Sequence, residues 1–200
     1  MTSPTEALER LREGNQRFTT YGRVRRARTD EERRKELTGG QNPYAVILSC
    51  ADSRVAPELV FDEGLGELFV VRVAGNVLEG SQLGSIEYAV EHLGSRLVVV
   101  LGHSSCGAVA ATIGHEGKPL EELSPGLIAI VGRIRPALQD LPAEGDQLDA
   151  AVRANVRQTV RQMCVESEAI KRRLASGELR VVGATYDLAS GAVEFFDDAD

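Results

Sequence analysis

Two apolar runs that each end in metal-capable side chains constrain this chain more than any other feature. Residues 44–49, Tyr-Ala-Val-Ile-Leu-Ser, lead into Cys50-Ala51-Asp52-Ser53-Arg54. Residues 97–102, Leu-Val-Val-Val-Leu-Gly, lead into His103-Ser104-Ser105-Cys106-Gly107. Neither run alternates apolar with polar residues, which is the pattern of strands buried on both faces of a parallel sheet. Open α/β sheets hold their ligands beyond the carboxyl ends of the strands. Two thiols and an imidazole are therefore expected at one end of the sheet, and Cys₂His is a three-ligand set that leaves a metal one open position.

Composition bounds the rest. Two hundred residues, 42% of them hydrophobic, give one domain with a core of its own, expected to span 1–200. Three cysteines, an odd number, favour a reducing compartment and thiols used for metal or chemistry rather than disulfides. The amino-terminal residues have no apolar signal core, and no apolar run is long enough to span a bilayer. A net charge of −7 argues against nucleic acid as a partner. The expectation is a cytoplasmic chain with no membrane or nucleic-acid partner.

In chain order, Ser3, Pro4 and Glu6 read as a capped helix start, with Leu8, Leu11 and Phe18 at helical spacing. Thr29 and Glu32 suggest a second capping box, for a short helix ended by Gly39-Gly40. The basic run Arg23, Arg25, Arg26 and Arg28 between them reads as a solvated arm or a set of ion-pair partners. Segment 55–61 predicts a short helix, 68–73 a second strand, and 83–93 a helix returning to the third strand at 97–102. A helix follows Cys106, and 114–126 reads as loop. Leu127, Ile130, Val131, Ile134 and Leu138 mark an amphipathic helix stopped by Pro142, and one long helix is expected over about 147–174. Segments 179–186 and 192–196, joined by five residues, must pair antiparallel. The fold class is α/β: a central sheet of four parallel strands plus an antiparallel edge strand, flanked by helices.

Softness and number of ligands at Cys50, His103 and Cys106 favour Zn²⁺ over Mg²⁺ or Ca²⁺, with a buried thiol pair or a redox site as the bland alternative. Asp52 and Arg54 add a mechanistic element. A carboxylate beside a metal can occupy the fourth position, or it can orient a metal-bound hydroxide. Arg54, two residues on, can hold Asp52 off the metal by a bidentate pair. The residues alone leave open an ordinary surface salt bridge. Isolated His92 and His115 read as structural or exposed, and mid-helix Cys164 as packing.

The motifs Cys-Ala-Asp-Ser-Arg-Val at 50–55 and His-Ser-Ser-Cys-Gly at 103–107 resemble those of the β-class carbonic anhydrases. The likeness extends to Leu-Phe-Val-Val-Arg-Val-Ala-Gly-Asn at 68–76, Ser-Ile-Glu-Tyr-Ala-Val at 85–90 and Gly-Ala-Thr-Tyr-Asp-Leu at 183–188. The resemblance implies Cys50, His103 and Cys106 as zinc ligands and Asp52 with Arg54 as a catalytic dyad, Asp52 becoming a fourth ligand in a closed form. It implies Gln41, Phe69, Tyr88 and Gly107 as pocket residues, Phe69 and Tyr88 reaching across a dimer interface, with Ala74 where some members have valine. It also implies reversible hydration of CO₂ to bicarbonate by zinc-bound hydroxide, and a homodimer or dimer-of-dimers tetramer with the 1–40 helical arm packed on a partner subunit. The alternatives are a carbonyl sulfide or carbon disulfide hydrolase on the same scaffold, or a non-catalytic zinc-stabilised regulator. The chain has no Trp, so the family's tryptophan-based regulatory bicarbonate site is not reproduced residue for residue.

Overall fold

The computed structural model describes residues 2–21, 29–139, 141 and 145–196, so the basic run at 23–28 and Pro142 lie outside the described residues. Five strands form one sheet in the order β2-β1-β3-β4-β5, where β1 is Ala45–Ser49, β2 Leu68–Arg72, β3 Leu97–His103, β4 Arg180–Tyr186 and β5 Val193–Phe196. The first four run parallel, and β5 pairs antiparallel with β4, as the connection lengths require.

Burial on both faces explains the unbroken apolar runs. Ala45 and Ile47 of β1, with Leu97, Val99 and Leu101 of β3, face a core that includes Ala7, Leu8 and Leu11 of α1, Pro4–Tyr21. The alternate residues Val46, Leu48, Val98 and Val100 face the opposite core. That core is closed by α4 (Gly80–His92), α7 (Gln147–Glu166) and α8 (Glu168–Ala175). A third cluster lies at the carboxyl end of the strands. It packs Cys50 and Cys106 against α7, α5 (Gly107–Gly114) and α6 (Pro125–Ile134). Helix α7 sits close on the sheet because position 102 is glycine. A Cβ there would lie 2.6 Å from Val156 Cγ2 and 3.1 Å from Val152 Cγ1.

The amino-terminal cap forms as the sequence indicates: Ser3 N–H donates to Glu6 Oε2 at 2.7 Å and Glu6 N–H to Ser3 Oγ at 3.2 Å. Three expectations are corrected. The cap of α2, Glu31–Glu36, is Asp30 rather than Thr29, because the carboxylate takes the Arg33 N–H at 2.8 Å and faces the positive end of the helix. The helix after 124 ends at Ile134 and tightens into a 3₁₀ turn, Arg135–Leu138, because Pro136 has no N–H to continue the ladder. The long helix over 147–174 is two helices. Ser167 adopts extended geometry, its Oγ accepts the Ile170 N–H at 3.2 Å, and the hydroxyl donates to Glu87 of α4 at 2.6 Å. A side chain that caps a new turn and binds a neighbouring helix outcompetes one more turn of α7.

Asn15 fastens α1 to the short helix α3 (Pro57–Val60) and to the connection between β4 and β5. Its Nδ2 donates to Val60 O (3.1 Å) and Gly191 O (2.9 Å), and its Oδ1 accepts Val193 N–H (2.9 Å). Asn15→Ala removes three buried partners at once and should cost about 2–4 kcal/mol. The check is the midpoint of chemical denaturation, which should fall with no change in slope.

Candidate metal centre

The parallel pairing of β1 with β3 delivers the two motifs to one place. Ser49 lies opposite Leu101, so Cys50 leaves the sheet beside His103. Between His103 and Cys106 the chain reverses at Ser105, whose φ of 56° lies in the left-handed region. Ser104 N–H donates to Tyr186 O and Ser104 Oγ accepts Leu188 N–H, which ties that reversal to the end of β4. The ligand atoms of Cys50, His103 and Cys106 then lie within 4.8 Å of one another, all three residues buried.

The donor set fits a metal on two counts. His103 Nδ1 sits 2.9 Å from Ser104 O, a carbonyl that can only accept, so the ring proton is on Nδ1 and Nε2 carries a bare lone pair. That Nε2 is buried with no hydrogen-bond partner among the described residues, the arrangement in which an outer carbonyl orients an imidazole ligand. The sulfurs, for their part, share a proton. The hydrogen bond from Cys106 draws the Cys50 thiol well below its ordinary value, with the N–H groups of Asp52 and Gly75 assisting and burial opposing. The Cys106 thiol is pushed up, first by the Cys50 thiolate that holds its proton and then by burial. A soft or borderline cation would replace that proton and take both sulfurs as thiolates.

Asp52 stands beside this cluster without belonging to it. Its Oδ2 is 3.9 Å from His103 Nε2. Arg54 donates to it three times, from its backbone N–H and Nε to Oδ1 (both 2.9 Å) and from Nη2 to Oδ2 (2.7 Å). Arg54 therefore holds the Asp52 carboxyl well below the usual carboxylate range, against a smaller opposing effect of burial. The same guanidinium reaches Ser105 O at 3.3 Å and so couples the two motifs.

Of the other residues singled out from the sequence, Ala74 and Gly107 lie at this end of the sheet. Ala74 precedes Gly75, whose N–H donates to Cys50 Sγ at 3.3 Å, and Gly107 opens α5 directly after Cys106. Gln41, Phe69 and Tyr88 are not joined to their own chain's cluster. Gln41 precedes β1 and lines a surface hollow with Leu37 and Leu65 at the strands' amino end. Phe69 is in register with Val46, four residues before Cys50, or about 13 Å along the strand. Tyr88 is exposed on α4, its ring centroid 5.3 Å from that of His92.

Two residues of the site escaped the sequence reading. Arg72, at the end of the edge strand β2, donates from Nε to Cys50 O (3.2 Å) and from Nη2 to Asp52 O (2.7 Å), clipping the ligand loop to the sheet. Its signal was a charge closing the apolar run 68–71. Asn155 of α7 donates to Gly75 O at 2.8 Å, and its signal was a polar residue on the buried stripe with Ala151, Val152, Val156 and Val160.

The family profile described as carbonic anhydrase matches residues 45–193. The chain is 43% identical over 194 residues to carbonic anhydrase 2 of Mycobacterium tuberculosis, covering 95% of this chain and 91% of that one. It is 45% identical over 197 residues to a carbonic anhydrase of Mycolicibacterium smegmatis, covering 96% and 93%. A solved β-carbonic anhydrase of Aspergillus fumigatus superimposes with a TM-score of 0.74 at 25% identity, covering 98% of this chain and 91% of that one.

With Zn²⁺ as the probe, Cys50→Ser, Cys106→Ser and His103→Ala should each weaken binding by more than the about 10–100-fold that loss of an outer partner costs. Competition against a chromophoric chelator measures this. Far-UV circular dichroism should stay that of the parent, because the two clusters that cover the faces of the sheet contain none of the three residues.

Proposed function

The chain belongs to the β-class carbonic anhydrase family, and from that premise we propose that it interconverts carbon dioxide and bicarbonate at a zinc ion held by Cys50, His103 and Cys106. The observation that carries this reading is the idle, buried Nε2 of His103 between two thiols, with Asp52 held beside it on Arg54. Zinc, when bound there, supplies a Lewis acid that turns water into a nucleophile near neutral pH.

The chain's own residues would do the rest. Arg54 keeps Asp52 ionised and occupies both of its oxygens, which holds the carboxylate off the metal. Oδ2 retains a lone pair on the side of His103, where it would accept a hydrogen bond from the attacking oxygen and turn that oxygen's lone pair toward CO₂. Ala74 and Gly107 would present small apolar surfaces suited to CO₂. Arg72 would keep the Cys50–Asp52 loop at fixed distance from the strand ends. His115 is no proton shuttle in this reading, because its Nε2 is 2.8 Å from Pro119 O and the residue is buried.

Gln41, Phe69 and Tyr88 would serve the site of a second copy. β2 is an edge of the sheet, and Phe69 lies on it far from its own cluster. Two copies meeting at this edge form a dimer, and dimers can pair as tetramers. Since α1 already buries Leu8 and Leu11 in its own core, the 1–40 arm would meet a partner with its polar face. Among the described residues no helix is long and apolar enough to cross a membrane. Together with three cysteines free of disulfides, two of them ligands in this reading, that supports a cytoplasmic setting.

Stopped-flow CO₂ hydration on protein of known zinc content, from about pH 7 to pH 9, tests the reading. Activity should scale with zinc occupancy and rise with pH. Asp52→Asn should keep its zinc and lose activity by about 100-fold or more. Retained activity would remove Asp52 from the mechanism. Zinc-loaded protein inert toward CO₂ across the range would overturn the reading, and turnover of carbonyl sulfide or none at all would then separate a sulfur-analogue hydrolase from a zinc-stabilised regulator.

A further inference from the structure

We propose that Asn155 is a positioning residue for the metal centre, acting through Gly75 to aim a backbone N–H at the Cys50 sulfur. The inference rests on the reading that Cys50, His103 and Cys106 hold zinc.

The contacts run in one line. Asn155 is buried on α7, about half a sequence length from the ligand it serves. Its Nδ2 donates to Gly75 O at 2.8 Å, and Gly75 N–H donates to Cys50 Sγ at 3.3 Å. Both peptide units flank a single α-carbon, so fixing one limits the swing of the other. Gly75 has a φ of +67°, a conformation that side-chain-bearing residues rarely adopt. It also has no room for a side chain, since a Cβ would lie 2.7 Å from Ile134 Cδ1 and 3.2 Å from Ala108 Cβ. The turn is thus wedged by α5 and α6 on one side and held by α7 through one amide.

That amide is poorly used if stability is its only purpose. Asn155 Oδ1 has no hydrogen-bond partner among the described residues, and Asn76 Nδ2, also buried beside Gly75, has none either. A buried acceptor left idle offsets what the Nδ2 donor contributes. What the residue does supply is a fixed direction for the carbonyl of Gly75 and hence for its N–H. An N–H donated to a thiolate withdraws charge from the sulfur. The same bond keeps that sulfur's remaining lone pairs facing Nε2 of His103 and Sγ of Cys106. Outer partners of metal ligands act in this way. Here the ligand is a thiolate, and the partner is a backbone group that needs a side chain from another helix to hold it.

The test compares wild type with Asn155→Leu and Asn155→Asp, both close in size and lacking the amide donor. Thermal melts and far-UV circular dichroism establish that each is folded. Zinc transfer to a chelator and the thiolate-to-metal charge-transfer band of the Co²⁺-substituted protein are then recorded. Both variants should bind zinc about 10-fold or more weakly and show a shifted band, a signature that mere loss of stability would not produce. Unchanged affinity and band in a folded variant would overturn the proposal and leave Asn155 as a partner for a buried carbonyl. A wild-type measurement stands independent of variant folding: in ¹¹³Cd-substituted protein the Gly75 amide proton should show scalar coupling to the metal across the N–H···S bond, and its absence would also overturn the relay. If wild type forms no thiolate–cobalt band at all, the metal-site reading fails instead, so the two failures are distinct.

Discussion

The parallel pairing of β1 with β3 is the constraint on which the rest of the structure depends. Parallel neighbours send their carboxyl ends the same way, so Cys50 and His103 emerge together although they lie fifty-three positions apart in the chain. An antiparallel pair would put them at opposite ends. The pairing in turn requires helices on both faces, and the continuous apolar runs are what those helices bury. The glycine at 102 lets α7 approach until Val152 and Val156 touch the strand, and that approach brings Asn155 to the Gly75 turn. Core packing and the chemistry of the site are therefore one arrangement.

A buried imidazole nitrogen without a partner and two thiols sharing one proton form an unstable combination by themselves. Desolvation penalises the thiolate, and the bare Nε2 forgoes a hydrogen bond. A divalent cation relieves both at once, because it neutralises two thiolates and fills the lone pair. The surrounding apolar cluster of Val77, Val109, Ile134 and Val152 raises the cost of leaving those groups unmet and so strengthens the demand for the ion. Asp52 stands 3.9 Å from His103 Nε2, and Arg54 engages both of its oxygens.

The sheet and the meeting of Cys50, His103 and Cys106 were legible because each depends on local pattern. A strand buried on both faces has to be apolar throughout, and a ligand has to be Cys, His or a carboxylate. Legibility failed where a competitor lay far away in sequence. Ser167 reads as one more helical residue until Glu87 of another helix binds its hydroxyl. Arg72 reads as the polar end of a strand until the carbonyls of Cys50 and Asp52 are found beneath its guanidinium. Thr29 fits a capping pattern as well as its neighbour does, and only the Arg33 N–H distinguishes Asp30. The roles of Gln41, Phe69 and Tyr88 came from resemblance alone, since no property of a single chain brings them to the cluster.

That last group bears on how a site of this kind is assembled. Cys50, His103, Cys106 and the Asp52–Arg54 pair come from two loops that one sheet brings together, so in the proposed reading a single chain would supply the groups that hold an ion and orient an attacking oxygen. Phe69, by contrast, is held by the register of β2 about 13 Å from its own Cys50, and no side-chain rotation spans that distance. If these residues do line a pocket for CO₂, they must do so in another copy. Metal binding and pocket formation then depend on different interactions, the first on the fold of one chain and the second on association. A monomer held apart from its partner would keep its ion and its carboxylate geometry while losing the apolar walls that exclude water and position a nonpolar substrate.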